Sequence, residues 1–247
     1  MRPHLSYTIW FTQRTGSTLL CAALESTGVA GRPGEWLMGA NLAALYARHG
    51  ARTPDELRSR IWAAASTPNG VLGIKHGLSE PWFTTVLDVL GQLDGHDGTR
   101  LGVWQNAFPD HRHIFMTRRN KVRLAVSWWK AIQSEEWHRR HGIPPSGIDV
   151  ADRYVFDAID HLVAETVIRE AAIQEFFTES DIVPLTIVYE DFVARYEQTV
   201  ADVLAWLGVP ATVPAPPPYD RLADPISEEW VQRYRQGKQT PWTSPRW

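Results

Sequence analysis

Short hydrophobic runs alternate along this chain with longer stretches of helical periodicity. Tyr7 to Phe11, Val71 to Lys75, His113 to Thr117 and Ile182 to Tyr189 are rich in β-branched and aromatic residues and bounded by polar turns, so each predicts a buried strand. Pro184 marks the last as an edge or irregular strand. Helices are predicted from Leu19 to Leu24, over 37–49, and from the capping box Thr53-Pro54-Asp55-Glu56 to about Ala65. Others follow over Pro81 to Leu93, through Trp128, Trp129 and Ile132, over Asp149 to Phe177, from Glu190 to Leu207, and from Ser227 to about Arg235. Strands separated by helices predict an α/β fold with a mostly parallel sheet covered on both faces. Residues 1–247 are read as a single domain. The proline-rich stretch from Pro210 to Pro218 reads as a stiff connector to the last helix and a tail.

Composition narrows the function classes. The 25 basic and 28 acidic residues leave a net charge of −3, so the totals carry no footprint for nucleic acid or an acidic membrane surface. Any basic site must be local. The single cysteine, Cys21, allows no intrachain disulfide and reads as a packing residue. The N-terminal apolar run is too short for a signal peptide, and no run approaches the ~20 apolar residues of a membrane span. A cytoplasmic protein is expected. Twelve tryptophans exceed what a core of this size requires and suit stacking on rings or sugars.

Two turns hold the candidate chemistry. Thr12-Gln13-Arg14-Thr15-Gly16-Ser17-Thr18 joins the first strand to a helix, where free amide N–H groups and the helix dipole favour an anion. A capped helix after a strand is the plain alternative. The second turn holds Arg118, Arg119, Lys121 and Arg123 before another helix. Cations there oppose the dipole, which favours a bound anion over a merely solvated helix face. Two such sites on one sheet suit a ligand with two separated phosphates. A P-loop kinase is disfavoured, because Ser17 stands where its lysine is required. His111-x-His113 and His138-x-x-His141 lack a convergent third ligand, so no metal is expected. Glu35, in a loop shaped by Gly31, Pro33 and Gly34, is an isolated carboxylate beside Trp36.

Arg14-Thr15-Gly16-Ser17-Thr18 resembles the 5′-phosphosulfate loop of sulfotransferases that use 3′-phosphoadenosine 5′-phosphosulfate (PAPS). Arg119 and Ser127 resemble their 3′-phosphate pair. Within that superfamily the chain is most similar to the bacterial trehalose 2-sulfotransferase family. The likeness runs through Gln13 to Cys21, Thr27 to Pro33 with Glu35, Phe108-Pro109-Asp110, Thr117-Arg118-Arg119, Ala125-Val126-Ser127, Tyr189-Glu190-Asp191 and Glu229-Trp230. It implies a P-loop-like sulfotransferase fold, PAPS as donor, a small-molecule hydroxyl acceptor, Glu35 as general base and a homodimer. Gly34, His76 and Asn120 depart from the family pattern, chiefly on the acceptor side. His76 is an alternative base, and Arg32, Trp36, His76, Trp104 and Trp137 are acceptor-binding candidates. A nucleotide-binding regulatory or scaffold protein on the same fold is the remaining alternative.

Overall fold

The structure is a computed structural model and describes residues 2–240. The tail's Trp242 and Trp247, two apolar rings that suggest docking, fall outside the described residues. Four strands, β1 (Leu5–Phe11), β2 (Val71–His76), β3 (His111–Thr117) and β4 (Leu185–Val188), form one parallel sheet in the order β2-β1-β3-β4. β4 is an edge strand, as Pro184 suggests, and is shorter than the apolar run predicts.

The pleat of β1 divides the core. Tyr7, Ile9 and Phe11 face one side, where they pack on Leu20, Cys21 and Leu24 of α1 (Ser17–Ser26) and Val200, Val203 and Leu204 of α9 (Tyr196–Leu207). Trp10 faces the other side, among residues of α3 (Pro54–Ala65), α4 (Trp82–Leu90), α5 (Arg100–Ala107) and the end of α7 (Phe156–Glu179). A third apolar cluster joins α6 (Lys121–Ser134), the start of α7 and α10 (Pro225–Gln239). The remaining helices are α2 (Leu42–His49) and α8 (Tyr189–Ala194).

Four elements differ from the expectation, the first being α2, which starts at Leu42 rather than at 37 with Asn41 as its cap. α5, which the sequence reading did not predict, starts at Thr99, whose hydroxyl accepts the Gly102 N–H, and buries Val103, Trp104 and Ala107. The helix expected over 190–207 breaks at Arg195 into α8 and α9. α7 begins seven residues later than expected, after an irregular segment.

β1 lies between β2 and β3, so the chain leaves it in opposite directions across the sheet. Ligands of open α/β sheets bind at such a switch point, beyond the carboxyl ends of the strands. The β1–α1 and β3–α6 turns meet there.

Candidate active site

The β1–α1 turn presents an uncapped helix. Gly16, the N-cap of α1, sits at φ 83°, and no side chain among the described residues caps this N-terminus. A Cβ on Gly16 would lie 2.6 Å from the Tyr189 ring, so both backbone shape and packing require glycine. The Thr15 hydroxyl is used inside the turn, donating to the Thr12 carbonyl at 2.7 Å. The first-turn amides of α1 therefore have no side-chain partner among the described residues, the condition that suits a helix N-terminus to an anion.

Lys75 reaches this turn from β2. Its ammonium lies 2.9 Å from Glu35 Oε1 and donates to Thr18 Oγ1, also at 2.9 Å. The Phe11 ring lies 4.3 Å beneath it, and only 10% of the side chain is exposed. One charge thus ties the donor-type loop to the isolated carboxylate. Glu35 is delivered by a segment bound along the edge of β2. Gly34 bridges Ile74, its carbonyl accepts the Lys75 N–H at 2.8 Å, and Arg32 N–H donates to Ala65. Gly31, at φ 74°, permits this approach, since a Cβ there would stand 2.6 Å from the Gly73 nitrogen. Arg48 fixes the far side by donating to the Glu35 and Met38 carbonyls.

The Arg14 side chain reaches α6 and the chain that follows it. Its Nε donates to Ser127 Oγ at 3.0 Å, and a terminal nitrogen donates to the Trp137 carbonyl. Burial, and then the neighbouring charge of Arg118, lower its pKa to about 10, so it stays a cation at neutral pH. The second turn is more self-contained than its charge suggests. Glu190 accepts the backbone N–H groups of Arg119 and Asn120, at 3.0 and 3.4 Å. Arg119 meets Asp191 at 2.5 Å, Lys121 meets Glu170 at 2.7 Å, and Arg123 meets Glu228 at 2.6 Å. Protein carboxylates already offset these cations, so their presence does not by itself require a bound anion. Arg119 and Ser127 have different partners, Asp191 and Arg14. The Arg119 guanidinium is more than half exposed on its carboxylate, which leaves it open to exchange.

Residues 6–237 match the family model described as Stf0 sulphotransferase. The chain belongs to that family. The trehalose 2-sulfotransferase of Mycobacterium tuberculosis is 30% identical over 263 residues, covering 95% of each chain. That of Mycolicibacterium smegmatis is 29% identical over 262 residues, covering 95% of this chain and 96% of the relative. A solved sulfotransferase from Alicyclobacillus acidocaldarius aligns at a TM-score of 0.49 and 14% identity, covering 95% of this chain and 92% of that one. That likeness is too distant to weigh in the assignment. Family membership makes the protein a sulfotransferase, the enzyme class expected from its motifs.

The acceptor side of this Stf0 sulphotransferase differs from the sequence reading. Trp104 is fully buried, with its indole N–H directed at Thr8 and His111, so it is a core residue. His76 is 4% exposed and packs among Trp10, Phe83 and Trp104. Burial pushes its pKa down to about 4, and its Nε2 has no partner among the described residues. It faces away from Glu35 and is no base for this site. Trp36 donates to the Arg32 carbonyl, and neither residue lines the cavity beside Glu35. Trp137 meets Arg14 through its backbone carbonyl and leaves its ring outside that lining.

The cavity has a volume of about 650 Å³, in the range of small-molecule sites. Glu35, Lys75 and Thr18 form one side, with Cys21 at the base. Burial raises the Cys21 pKa to about 12, so it is a packing thiol there. The lining also includes His138, Arg140, Ala215, Pro216, Pro218 and Tyr219. Of these, only His138 was singled out from the sequence, as part of a His138-x-x-His141 pair set aside for want of a third metal ligand, and the prolines read as a connector. Among the described residues no His, Cys, Asp and Glu group is arranged to hold a metal, and no helix is long and apolar enough to cross a membrane.

Proposed function

We propose that the enzyme transfers the sulfuryl group of PAPS to a hydroxyl of a carbohydrate, with trehalose and related glycosides as first candidates. The observation that carries this reading is the Lys75 ammonium, held at 2.9 Å from both Glu35 and Thr18 beside the uncapped α1 N-terminus. The donor set fits the anionic half of PAPS: free helix amides, a lysine and a nearby arginine. Arg119 and Ser127 are the candidates for the 3′-phosphate, with Asp191 giving way to it. The two curated relatives named trehalose 2-sulfotransferase support the acceptor class.

In this reading the acceptor hydroxyl oxygen attacks sulfur while the bond from sulfur to the bridging phosphate oxygen breaks in line. The hydroxyl proton passes to the Glu35 carboxylate, and adenosine 3′,5′-bisphosphate leaves with the bonding electron pair. Lys75 and the α1 amides stabilise negative charge on the sulfuryl and leaving oxygens, so catalysis is positioning and electrostatics. The reading is tested with Glu35→Gln. Calorimetry should show unchanged binding of adenosine 3′,5′-bisphosphate, tighter than that of AMP. Transfer of labelled sulfate from PAPS to a panel of sugars should fall below detection. A fully active variant removes Glu35 as base, and equal affinity for the two nucleotides removes the 3′-phosphate assignment.

A further inference from the structure

Two segments distant in sequence line the same cavity as Glu35. The chain leaving α6 turns at Glu135 (φ 56°) and runs through residues 137–141. The chain leaving α9 returns through 215–220. They pair as a short antiparallel ribbon: Arg140 bridges Tyr219, His141 N–H donates to Pro218, and Asp220 N–H donates to Arg139. Side chains strengthen the joint, with Asp220 held by Arg139 at 2.9 Å and by His141 at 2.5 Å. The ribbon is tied down at both ends. Ala215 N–H donates to Ser26 Oγ, and Tyr196 Oη donates to the Ala215 carbonyl. Arg14 donates to the Trp137 carbonyl.

This backbone framework aims two rings at the cavity. Tyr219 and His138 lie 5.6 Å apart, tilted by 41°. Pro216 and Pro218 extend the apolar surface without flexible side chains. Loss of solvent around the His138 ring, then the charges of Arg14 and Lys75, push its pKa down to about 4, although much of the residue remains exposed. The ring is neutral at pH 7. The charged lining carries both signs, Glu25 and Glu35 against Arg48, Arg140 and Lys75, so the cavity selects neither a polyanion nor a polycation. An aromatic and proline surface in one cavity with hydrogen-bonding groups suits a ring that is apolar on its faces and polar at its rim.

We infer that the ribbon of residues 137–141 and 215–220 is the acceptor-recognition wall, with Tyr219 and His138 as specificity-determining residues that hold a neutral polyhydroxylated ring against Glu35. The inference rests on the transfer reading above and extends it to residues outside the donor loop and the base. It assigns the proline-rich stretch to substrate recognition.

The experiment begins with wild-type enzyme, PAPS and a panel of trehalose, glucose, methyl glucoside and a charged sugar, glucuronate. The best acceptor is then used with the variants Tyr219→Ala, Tyr219→Phe and His138→Ala. Tyr219→Ala should raise KM for the sugar about tenfold, the scale of one lost stacking contact. Its kcat and its affinity for adenosine 3′,5′-bisphosphate should stay at wild-type values. Tyr219→Phe, which keeps the ring, should show a smaller rise. His138→Ala should raise KM in the same direction, which keeps the test informative if one variant folds poorly. An unchanged KM in both alanine variants overturns the wall while leaving the transfer reading intact. So does a KM rise matched by an equal loss of bisphosphate affinity, because that marks a general disturbance. Preference for glucuronate over every neutral sugar also overturns it. A wild type that sulfates nothing on the panel overturns the carbohydrate reading and the wall with it.

Discussion

Replacing Lys75 by methionine tests the electrostatic centre of the site. Methionine matches the length of the lysine stem and packs well against an aromatic ring such as Phe11, 4.3 Å below the ammonium. The substitution therefore removes charge with little change in shape. The ammonium makes two contacts of 2.9 Å, and hydrogen bonds to charged groups contribute about 1.5–3 kcal/mol each. Glu35 is 36% exposed and can rehydrate, and the Thr18 hydroxyl can bond to water, so the net loss of stability should be smaller, about 1–3 kcal/mol. The effect on rate should be larger. Losing one preorganised donor at developing charge costs about 10²–10³ in kcat. Labelled-sulfate transfer to the best sugar acceptor should show that drop in kcat. Calorimetry with adenosine 3′,5′-bisphosphate should show a much smaller change, since Lys75 contacts Thr18 rather than the second turn. Lys75→Arg should recover only part of the rate, because a planar fork cannot sit between Glu35 and Thr18 as a point charge does. A Lys75→Met enzyme with kcat within about threefold of wild type and an intact fold would refute the role given to this ammonium.

Three further outcomes follow from the same geometry. Asp191→Asn should strengthen binding of adenosine 3′,5′-bisphosphate by up to about fivefold in calorimetry, the scale of one exposed ion pair, without changing AMP; weaker binding would instead make Asp191 a support for Arg119. Gly16→Ala should destabilise the fold by about 1–3 kcal/mol in urea titration and abolish donor binding, since φ is 83° and the new Cβ meets the Tyr189 ring; wild-type stability would deny that the turn is fixed by this packing. Stability should fall on mild acidification: burial pushes His76 and His113 down to about 4, whereas the unfolded chain takes up these protons near pH 6.5, so the stabilisation present above 6.5 is lost as pH falls towards 4. The loss is about 3 kcal/mol for each histidine, and a urea midpoint constant between pH 7.5 and 5 would contradict it.

Most of the architecture was legible because the signals were local. Strand-length apolar runs, the capping box at Thr53 and the glycine after the first helix each depend on a few neighbouring residues. α5 was passed over although Thr99 is a local cap signal and Leu101, Trp104, Ala107 and Phe108 keep helical spacing; what its sequence does not carry is the fixing of Trp104 by Thr8 and His111. The basic turn was legible as a cluster of charge but not as a network. Its carboxylates come from α7, α8 and α10, between 49 and 105 positions away. The ribbon was hidden for the same reason. Proline-rich sequence specifies an extended stretch, and only tertiary placement decides whether it links two elements or lines a cavity.

Lys75 and His76 show how finely placement turns on parity. Both stand at the carboxyl end of β2, where a ligand is expected, and histidine is the more familiar base. A parallel register pairs Ile9 with Lys75 and Trp10 with His76. Successive side chains on a strand point to opposite faces. Ile9 belongs to the core facing α1 and Trp10 to the core facing α4 and α5, so their partners divide in the same way. Lys75 reaches Thr18 and Glu35, while His76 enters a closed aromatic cluster that keeps it neutral. Hydrophobic alternation in β1 already contains that assignment: Tyr7, Ile9 and Phe11 form the face towards the helix that carries the donor loop. Of the two polar residues that end β2, only Lys75 therefore lies on the α1 side of the sheet, beside the loop bound along that strand. Glu35, the proposed base, is presented by that loop, and the alternation of the strand separates His76 from it.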